Sequence, residues 1–169
     1  MGRSIIFCLC FLLSGYSVQS DEEWTAANDN ARSRVVIDVG GDEPEGSMGF
    51  GWSYKERDHV RTYRWIEHME ADVWFEREEV GEMKLRVEAA ALHVEGMRQN
   101  IGVYINHAFI TEWVCPDHHE FTMYHIRIPR QHLRPGNNRL TLRVGYRHRI
   151  ERERRELGLA VERIVLESY

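Results

Sequence analysis

IGVYINHAFITEWVCPDHHEFTMYHIRIPRQHLRPGNNRLTLRV, residues 101–144, is the stretch that decides the fold, because turn signals divide it into four short extended runs. Those runs are residues 101–105, 109–114, 124–128 and 140–144. Asn106 tolerates a left-handed backbone and is typical of a tight hairpin between the first two runs. The Pro-Gly-Asn-Asn cluster of residues 135–138 breaks the chain before the last run, in which apolar and polar residues alternate. The pattern predicts consecutive antiparallel strands.

The same signals continue on both sides of this stretch. Further extended runs lie at residues 35–39, 49–54, 61–66, 71–76, 83–93 and 157–166. Alternation of Met83, Leu85 and Val87 favours a strand, although the alanines of residues 89–91 keep a helix over residues 80–94 as a competing prediction. About eight to nine short strands between turn signals indicate an all-β fold, an antiparallel β-sandwich closed as a jelly roll. Residues 147–156, with five Arg and three Glu, are expected to form a solvated loop.

The first twenty residues are typical of an export signal. Arg3 supplies a positive start, residues 5–13 form an apolar run, and the segment ends on the small residue Ser20. The apolar run falls short of the roughly 20 residues that span a bilayer. We therefore expect residues 1–20 to be a signal peptide cleaved after Ser20, residues 21–33 a flexible leader, and residues 34–169 one domain. This domain would be secreted or periplasmic and would have no membrane span.

Net charge and cysteine content limit the kinds of partner and of covalent cross-link that are expected. The chain has 27 acidic and 22 basic residues and a net charge of −5, whereas a nucleic-acid-binding protein favours a basic face. Cys8 and Cys10 belong to the expected signal peptide, so Cys115 is left without an intrachain partner. Cys115 is then either a small buried apolar residue or a route to a covalent dimer.

Several motifs together resemble a known family. They are Ile105-Asn106, Trp113 on the return strand, the Ile-x-Ile-Pro of residues 126–129, and Leu-Arg-Pro-Gly-Asn-Asn-x-Leu-x-Leu at residues 133–142. This set resembles the galactose-binding-like jelly rolls, similar to carbohydrate-binding modules, that accompany glycoside hydrolases and glycosyltransferases. Residues 35–40, 49–52, 64–65 and 157–162 look like a branch appended to bacterial membrane glycosyltransferases. That branch usually has Gly where this chain has His107, and we expect this chain to act without the transmembrane catalytic part of that branch.

Aromatic residues in two neighbouring segments are the candidate ligand site. Sugars stack an apolar face on aromatic rings and hydrogen-bond through their hydroxyls to carboxylate and guanidinium groups. The predicted ligand-binding residues are Trp52, Tyr54, Glu56, Arg64 and Trp65. Two alternatives stay open: the rings belong to the sandwich core, and Arg64 either caps a binding face or forms an ion pair with Glu56.

A glycine-rich turn carries a cluster of acidic residues that includes Asp38, Asp42 and Glu43. Such oxygens suit a hard cation, and the resemblance implies a structural calcium, so these three are candidate calcium ligands. The spacing matches no dedicated calcium loop, and a solvated acidic loop is the other interpretation. No further cofactor is expected.

We expect no catalytic residue. The acidic pairs Glu78-Glu79 and Glu151/Glu153 are not placed across one cleft, as glycoside hydrolysis requires. The sequence also lacks a phosphate loop, a dinucleotide fingerprint and a nucleophile elbow. The resulting prediction is an exported, non-enzymatic module that binds carbohydrate or a glycoconjugate. The alternative is a domain of the same fold that binds a protein partner in assembly of the cell envelope.

Overall fold

The structure is a computed structural model that describes residues 34–42, 47–116, 120–150 and 154–169. The predicted signal peptide and leader therefore lie outside the described residues, as does Glu43. None of the described residues forms a helix long and apolar enough to cross a membrane.

Twelve strands lie within the described residues. In chain order they are β1 (Arg34–Ile37), β2 (Glu56–Arg57), β3 (Thr62–Trp65), β4 (Glu70–Arg77), β5 (Met83–Ala91), β6 (Asn100–Ile105), β7 (Ala108–Val114), β8 (Thr122–Ile128), β9 (Gly136–Val144), β10 (His148–Arg149), β11 (Glu156–Leu157) and β12 (Leu159–Ser168). A 3-10 helix, Arg130–His132, precedes β9. Nine of the strands have four residues or more, which agrees with the predicted eight to nine.

The strands form two antiparallel sheets and a short ribbon. One sheet has the order β2-β3-β12-β5-β8, and β1 pairs with the C-terminal half of β12. The other has the order β4-β9-β6-β7, and β10 and β11 form the ribbon. The antiparallel β-sandwich with jelly-roll architecture is confirmed.

Period-two alternation builds the core between the two sheets. In β5, Met83, Leu85 and Val87 are fully buried, while Lys84 between them is exposed. The matching residues of the facing sheet, such as Val103 on β6, belong to the same buried cluster. Each such aliphatic side chain contributes roughly 1.5–3 kcal/mol when it is removed from water. A helix over residues 80–94 is therefore wrong, because the local alternation matches a sheet face and overrides the helix preference of alanine.

Residues 47–53 cross from one sheet to the other and are not the single strand that their alternating aromatics predict. The N–H of Gly49 donates to Asp72 O of β4 at 2.9 Å, whereas the N–H of Ser53 donates to Trp65 O of β3 at 2.8 Å. Gly51 lies at the change of sheet with a φ of 99°, and a Cβ there would lie 2.1 Å from Glu70 O. Only glycine fits this corner.

Residues 147–156 also differ from the expected solvated loop. The chain reverses there into the β10–β11 ribbon, in which His148 pairs with Leu157 and Arg149 with Glu156. Leu157 is buried, so the ribbon is attached to the sandwich by its last residue.

Candidate functional site

The side chains of β3 divide between the two faces of its sheet. Arg64 pairs with Val161, which is in the core, and Trp65 pairs with Ala160. Residues that face each other on antiparallel strands share one side of the sheet. Arg64 therefore points to the core side, and Trp65 lies with Tyr63 on the outer side. Glu56 pairs with Tyr63 and shares that outer side.

An aromatic surface, formed by Tyr63, Trp65 and Phe121, covers this outer side. Tyr63 meets Trp65 edge to face at a centroid distance of 5.9 Å and Phe121 in a tilted contact at 5.7 Å. All three rings are half-buried. Beside Trp65, Ala160 and its neighbour Ala90 have no bulky side chain, and both are buried under larger residues. Each of the three aromatic residues is therefore partly accessible to solvent.

Charged groups form one border of the aromatic surface. The Arg61 guanidinium lies 5.0 Å from the Phe121 ring centroid and forms ion pairs with Glu88 and Glu162. Hydrogen bonds to these two carboxylates raise the pKa of Arg61. The guanidinium is thus held charged against the ring, as in a cation–π contact.

A pocket of about 440 Å³ lies at the end of the sandwich where the β10–β11 ribbon folds back. We name it the arginine pocket, and its lining residues are Glu67, His68, Arg147, Arg149, Arg154, Arg155 and Glu156. Arg147 donates to Glu67 O at 2.7 Å and pairs with Glu156 at 2.9 Å. The exposed Phe50 ring stacks on His68 with a centroid distance of 4.3 Å.

Arg155 joins the arginine pocket to the aromatic surface. Its guanidinium lies 2.6 Å from a carboxylate oxygen of Glu56 and 3.2 Å from one of Glu67. Glu56 is the outward neighbour of Tyr63, so one ion pair borders both features. The predicted site residues Glu56 and Trp65 are thereby brought onto one continuous surface.

Two other predicted site residues are directed away from this surface. Arg64 donates through Nε to Val39 O at 2.9 Å and through Nη1 to Ser53 O at 3.1 Å. Trp52 pairs with buried Ile66, packs against the core, and donates its indole N–H to Asp72 O at 2.7 Å. The alternative that Arg64 forms an ion pair with Glu56 is wrong, because Arg64 faces the core side of the sheet and Glu56 pairs with Arg155.

The predicted residues that remain are Tyr54 and the candidate calcium ligands of the acidic turn. Tyr54 is 88% exposed. Asp42 is also exposed, and a hydrogen bond from Lys55 lowers the pKa of its carboxyl. Asp38 accepts the N–H of Gly41 at 2.8 Å through its backbone oxygen. The described residues hold no group of three His, Cys, Asp or Glu side chains that suits a metal ion, and with Glu43 outside them the calcium site stays a prediction.

Cys115 is 1% exposed and belongs to the core cluster. Burial raises the pKa of its thiol, so the group stays protonated at neutral pH. This burial confirms the small-apolar-residue interpretation of Cys115.

The arginine pocket was missed by sequence reasoning. The density of arginine at residues 147–156 was the available signal, but it was interpreted as solvated charge. The pocket exists because the ribbon brings this segment against Glu67 and His68, which lie some eighty residues earlier in the chain.

Known structures share the fold. No protein-family model and no curated protein matches the sequence. The CBM35 module of Abf62 from Cellvibrio japonicus matches with a TM-score of 0.53 and 12% identity over 79% of this chain and 92% of that chain. A CBM36-1 domain of a multidomain xylanase from the hindgut metagenome of Trinervitermes trinervoides matches with a TM-score of 0.52 and 7% identity, over 79% and 96% of the two chains.

A segment of dimeric latent PorU from Porphyromonas gingivalis matches equally well. Its TM-score is 0.52 at 9% identity, and the match covers 81% of this chain and 12% of PorU. At such identities the likeness establishes the fold alone. The chain has the jelly-roll fold of these carbohydrate-binding modules.

Proposed function

We propose that this chain is an exported, non-catalytic accessory module that binds carbohydrate or a glycoconjugate on the aromatic surface. In this proposal Trp65 and Tyr63 stack against a sugar ring, and Glu56 receives hydrogen bonds from its hydroxyl groups. Tyr54 contributes a third ring from the adjacent exposed segment.

The observation that carries the proposal is the outward-facing, partly exposed Tyr63–Trp65 pair on β3, with Glu56 beside it on the same side of the sheet. An aromatic edge next to a carboxylate matches the amphipathic surface of a sugar. Arg155 fixes the Glu56 carboxylate, so this hydrogen-bonding group is positioned before the ligand arrives. The jelly-roll likeness to carbohydrate-binding modules adds support at the level of fold.

Binding rather than catalysis fits the charges at this surface. The carboxylates of Glu56 and Glu67 share the Arg155 guanidinium. A carboxylate held in such an ion pair has a fixed orientation and presents its oxygens as hydrogen-bond acceptors. The role of Glu56 in the proposal is therefore orientation of the ligand.

The role of two predicted residues changes in this proposal. Arg64 and Trp52 stabilise the corner of the sandwich through backbone carbonyls and leave ligand contact to Trp65, Tyr63, Tyr54 and Glu56.

A glycan array with the full chain, followed by calorimetric titration of the best glycan, tests the proposal. We expect weak binding, because a single sugar on an open face buries little area. Trp65→Ala should abolish the calorimetric signal, and Tyr54→Ala should weaken it without loss of stability. Phe109→Ala is the control, since Phe109 is 57% exposed on the outer side of the other sheet.

The result that overturns the proposal is a folded wild-type chain that binds no glycan on the array. Equal loss of affinity in Phe109→Ala and Trp65→Ala would also overturn it, because binding would then not depend on the aromatic surface. Far-UV circular dichroism of each variant shows that the fold is retained.

A further inference from the structure

We propose that a small pocket on the outer side of β5 and β12 binds an acidic side chain of a protein partner, presented by an extended peptide segment. The pocket has a volume of about 140 Å³, and we name it the sheet pocket. The aromatic surface is not part of it, so the inference stands apart from the proposed function. Its lining residues, all of which the structure describes, are Arg34, Arg86, Glu88, Met123, Arg163 and Val165.

An aliphatic residue among longer side chains forms the floor of the sheet pocket. Val165 on β12 pairs with Arg86 on β5. Arg86 alternates with the core residues Leu85 and Val87, so both Arg86 and Val165 lie on the outer side of the sheet. Val165 is nevertheless only 5% exposed, and Met123 provides a second apolar wall that is 49% exposed. The pocket therefore has an apolar base below a charged rim.

The carboxylate that lines the sheet pocket is already bound by an arginine. Glu88 pairs with Arg61, which lies outside the pocket. On the opposite side of the pocket, Arg34 and Arg86 both pair with the carboxylate of Glu167. Two guanidinium groups thus share one carboxylate at this rim. The negative charges near the pocket are balanced by cations among the described residues.

Arg163 is the cation of the rim that has no partner among the described residues. It is exposed on β12 opposite Glu88, and forms no ion pair or hydrogen bond with any residue that the structure describes. Lys84, two residues before Arg86 on the same side of β5, is likewise exposed and unpaired there. A guanidinium group presents a planar fork of N–H donors that matches a carboxylate. Arg163 can therefore bind an incoming carboxylate without breaking an existing ion pair.

The size of the sheet pocket determines which kind of group fits. Sites for whole small-molecule ligands begin at about 300 Å³, so a pocket of about 140 Å³ suits a single side chain. The methylene groups of a glutamate can contact Val165 and Met123 while its carboxylate reaches Arg163. In an extended peptide, alternate side chains lie on one face about 7 Å apart, the same repeat that separates Lys84 from Arg86. A peptide in which acidic residues alternate therefore matches these cations.

Fluorescence anisotropy of the full chain with a labelled synthetic peptide, in which Glu alternates with Thr, tests the inference. We expect saturable binding that weakens as sodium chloride is raised, and no binding of the same peptide with Gln in place of Glu. Arg163→Gln should weaken binding about 10-fold, which corresponds to the loss of one charge-assisted contact. Arg57→Gln is the matched control, because Arg57 is exposed on β2, at the opposite end of this sheet from β8.

A second variant separates the pocket from general attraction between charges. Met123→Ala leaves the net charge unchanged but removes an apolar wall of the pocket. It should weaken binding of the Glu peptide about 5-fold, as expected when about half of an apolar side chain is lost from the contact. Far-UV circular dichroism and thermal melts show that each variant keeps the fold.

The outcomes distinguish this inference from the proposed function. Peptide binding that is weakened in Arg163→Gln and Met123→Ala but kept in Arg57→Gln supports the sheet pocket, even where no glycan binds the aromatic surface. Equal weakening in Arg57→Gln and Arg163→Gln overturns the inference, since the effect would be that of net charge alone. Polygalacturonate that competes as strongly as the peptide at equal carboxylate concentration also overturns it, because the surface would then bind any anionic polymer. A folded chain that binds glycan through Trp65 but no acidic peptide overturns it and leaves the proposed function intact.

Discussion

Asn138 shows how a single polar side chain can hold a turn together. It is fully buried at the start of β9. Its Oδ1 accepts from Arg134 N at 3.0 Å and from Asn106 Nδ2 at 2.8 Å, and its Nδ2 donates to Arg134 O at 2.8 Å and to Gly136 O at 3.0 Å. These hydrogen bonds tie the Pro-Gly-Asn-Asn turn to neighbouring backbone, as Asn side chains commonly do in turns. Asn138 also joins that turn to the β6–β7 hairpin through Asn106.

Replacement of Asn138 by Ala should lower the free energy of unfolding by about 3 kcal/mol, because several buried groups lose their partner at once. Thermal melts measure the change, and for a chain of this size about 10 °C is expected. Asn137→Ala is the control, since Asn137 is the exposed neighbour in the same turn. Equal melting temperatures for wild type and Asn138→Ala would contradict the assigned role.

Arg64 is a second polar side chain that connects separate segments of the chain. Its guanidinium donates to backbone oxygens of Val39 and Ser53, which lie on two different segments on the core side of β3. A long cationic side chain can cross-link two carbonyl groups in this way because its donors are spread over a rigid plane.

We expect Arg64→Ala to lower the free energy of unfolding by about 3 kcal/mol through loss of two charge-assisted hydrogen bonds. Chemical denaturation measures this loss, and Arg57→Ala on the exposed face of β2 should change stability by less than about 0.5 kcal/mol. A stable Arg64→Ala variant that no longer binds a glycan would instead assign Arg64 to the ligand site.

At the scale of elements, the β6–β7 hairpin is the clearest case of local sequence control. Asn106 and His107 have φ values of 49° and 72°, the left-handed pair that a two-residue turn requires. Asn is among the residues that adopt this backbone most readily. The Asn106 side chain also connects the turn to β9, because its Oδ1 accepts a hydrogen bond from Arg139 N at 3.0 Å. His107, the second residue of this pair, is exposed and carries a Cβ at a position where glycine would be unstrained.

Substitution of His107 by Gly should therefore stabilise the protein by about 1 kcal/mol, because the left-handed backbone is strained for any residue with a Cβ. His107→Ala keeps the Cβ and should show no such gain, which makes it the matched control. Urea midpoints of the three proteins give the comparison. A destabilised His107→Gly variant would show that the imidazole contributes more than the strain costs.

On the scale of the whole molecule, the described residues form one jelly-roll domain. The predicted signal peptide, residues 1–20, precedes it in the sequence. Export rests on the positive start, the apolar run and the small residue Ser20 within residues 1–20. This predicted signal peptide supports the proposal that the domain acts outside the cytoplasm.

Expression of the full chain in a bacterial host should yield exported protein whose N-terminus is Asp21. Mass spectrometry of the exported fraction gives that terminus directly. Leu12→Arg, which places a charge in the apolar run, should retain the protein in the cell. Exported material that begins at Met1, or that carries a lipid, would contradict the predicted signal.

The sequence by itself determined those features that depend on neighbouring residues. Alternation with a period of two marked the faces of β5 and β9, and Asn106 marked the turn between β6 and β7. These features follow from backbone sterics and from the side of the sheet on which each residue lies, and both act within a few residues. The Pro-Gly-Asn-Asn turn was equally predictable, because the restrictions on Pro and Gly are local.

Only the tertiary structure decided which distant residues meet. Glu56 and Arg155 are 99 positions apart in the chain, and their ion pair exists because the β10–β11 ribbon folds back beside β2. The inward direction of Arg64 likewise follows from its register opposite Val161 on β12. Strand order and register are set by packing of the whole core, since a shift of one residue would exchange the two faces of a strand. For this reason the local pattern predicted the sheets and the aromatic residues but not the arginine pocket beside them.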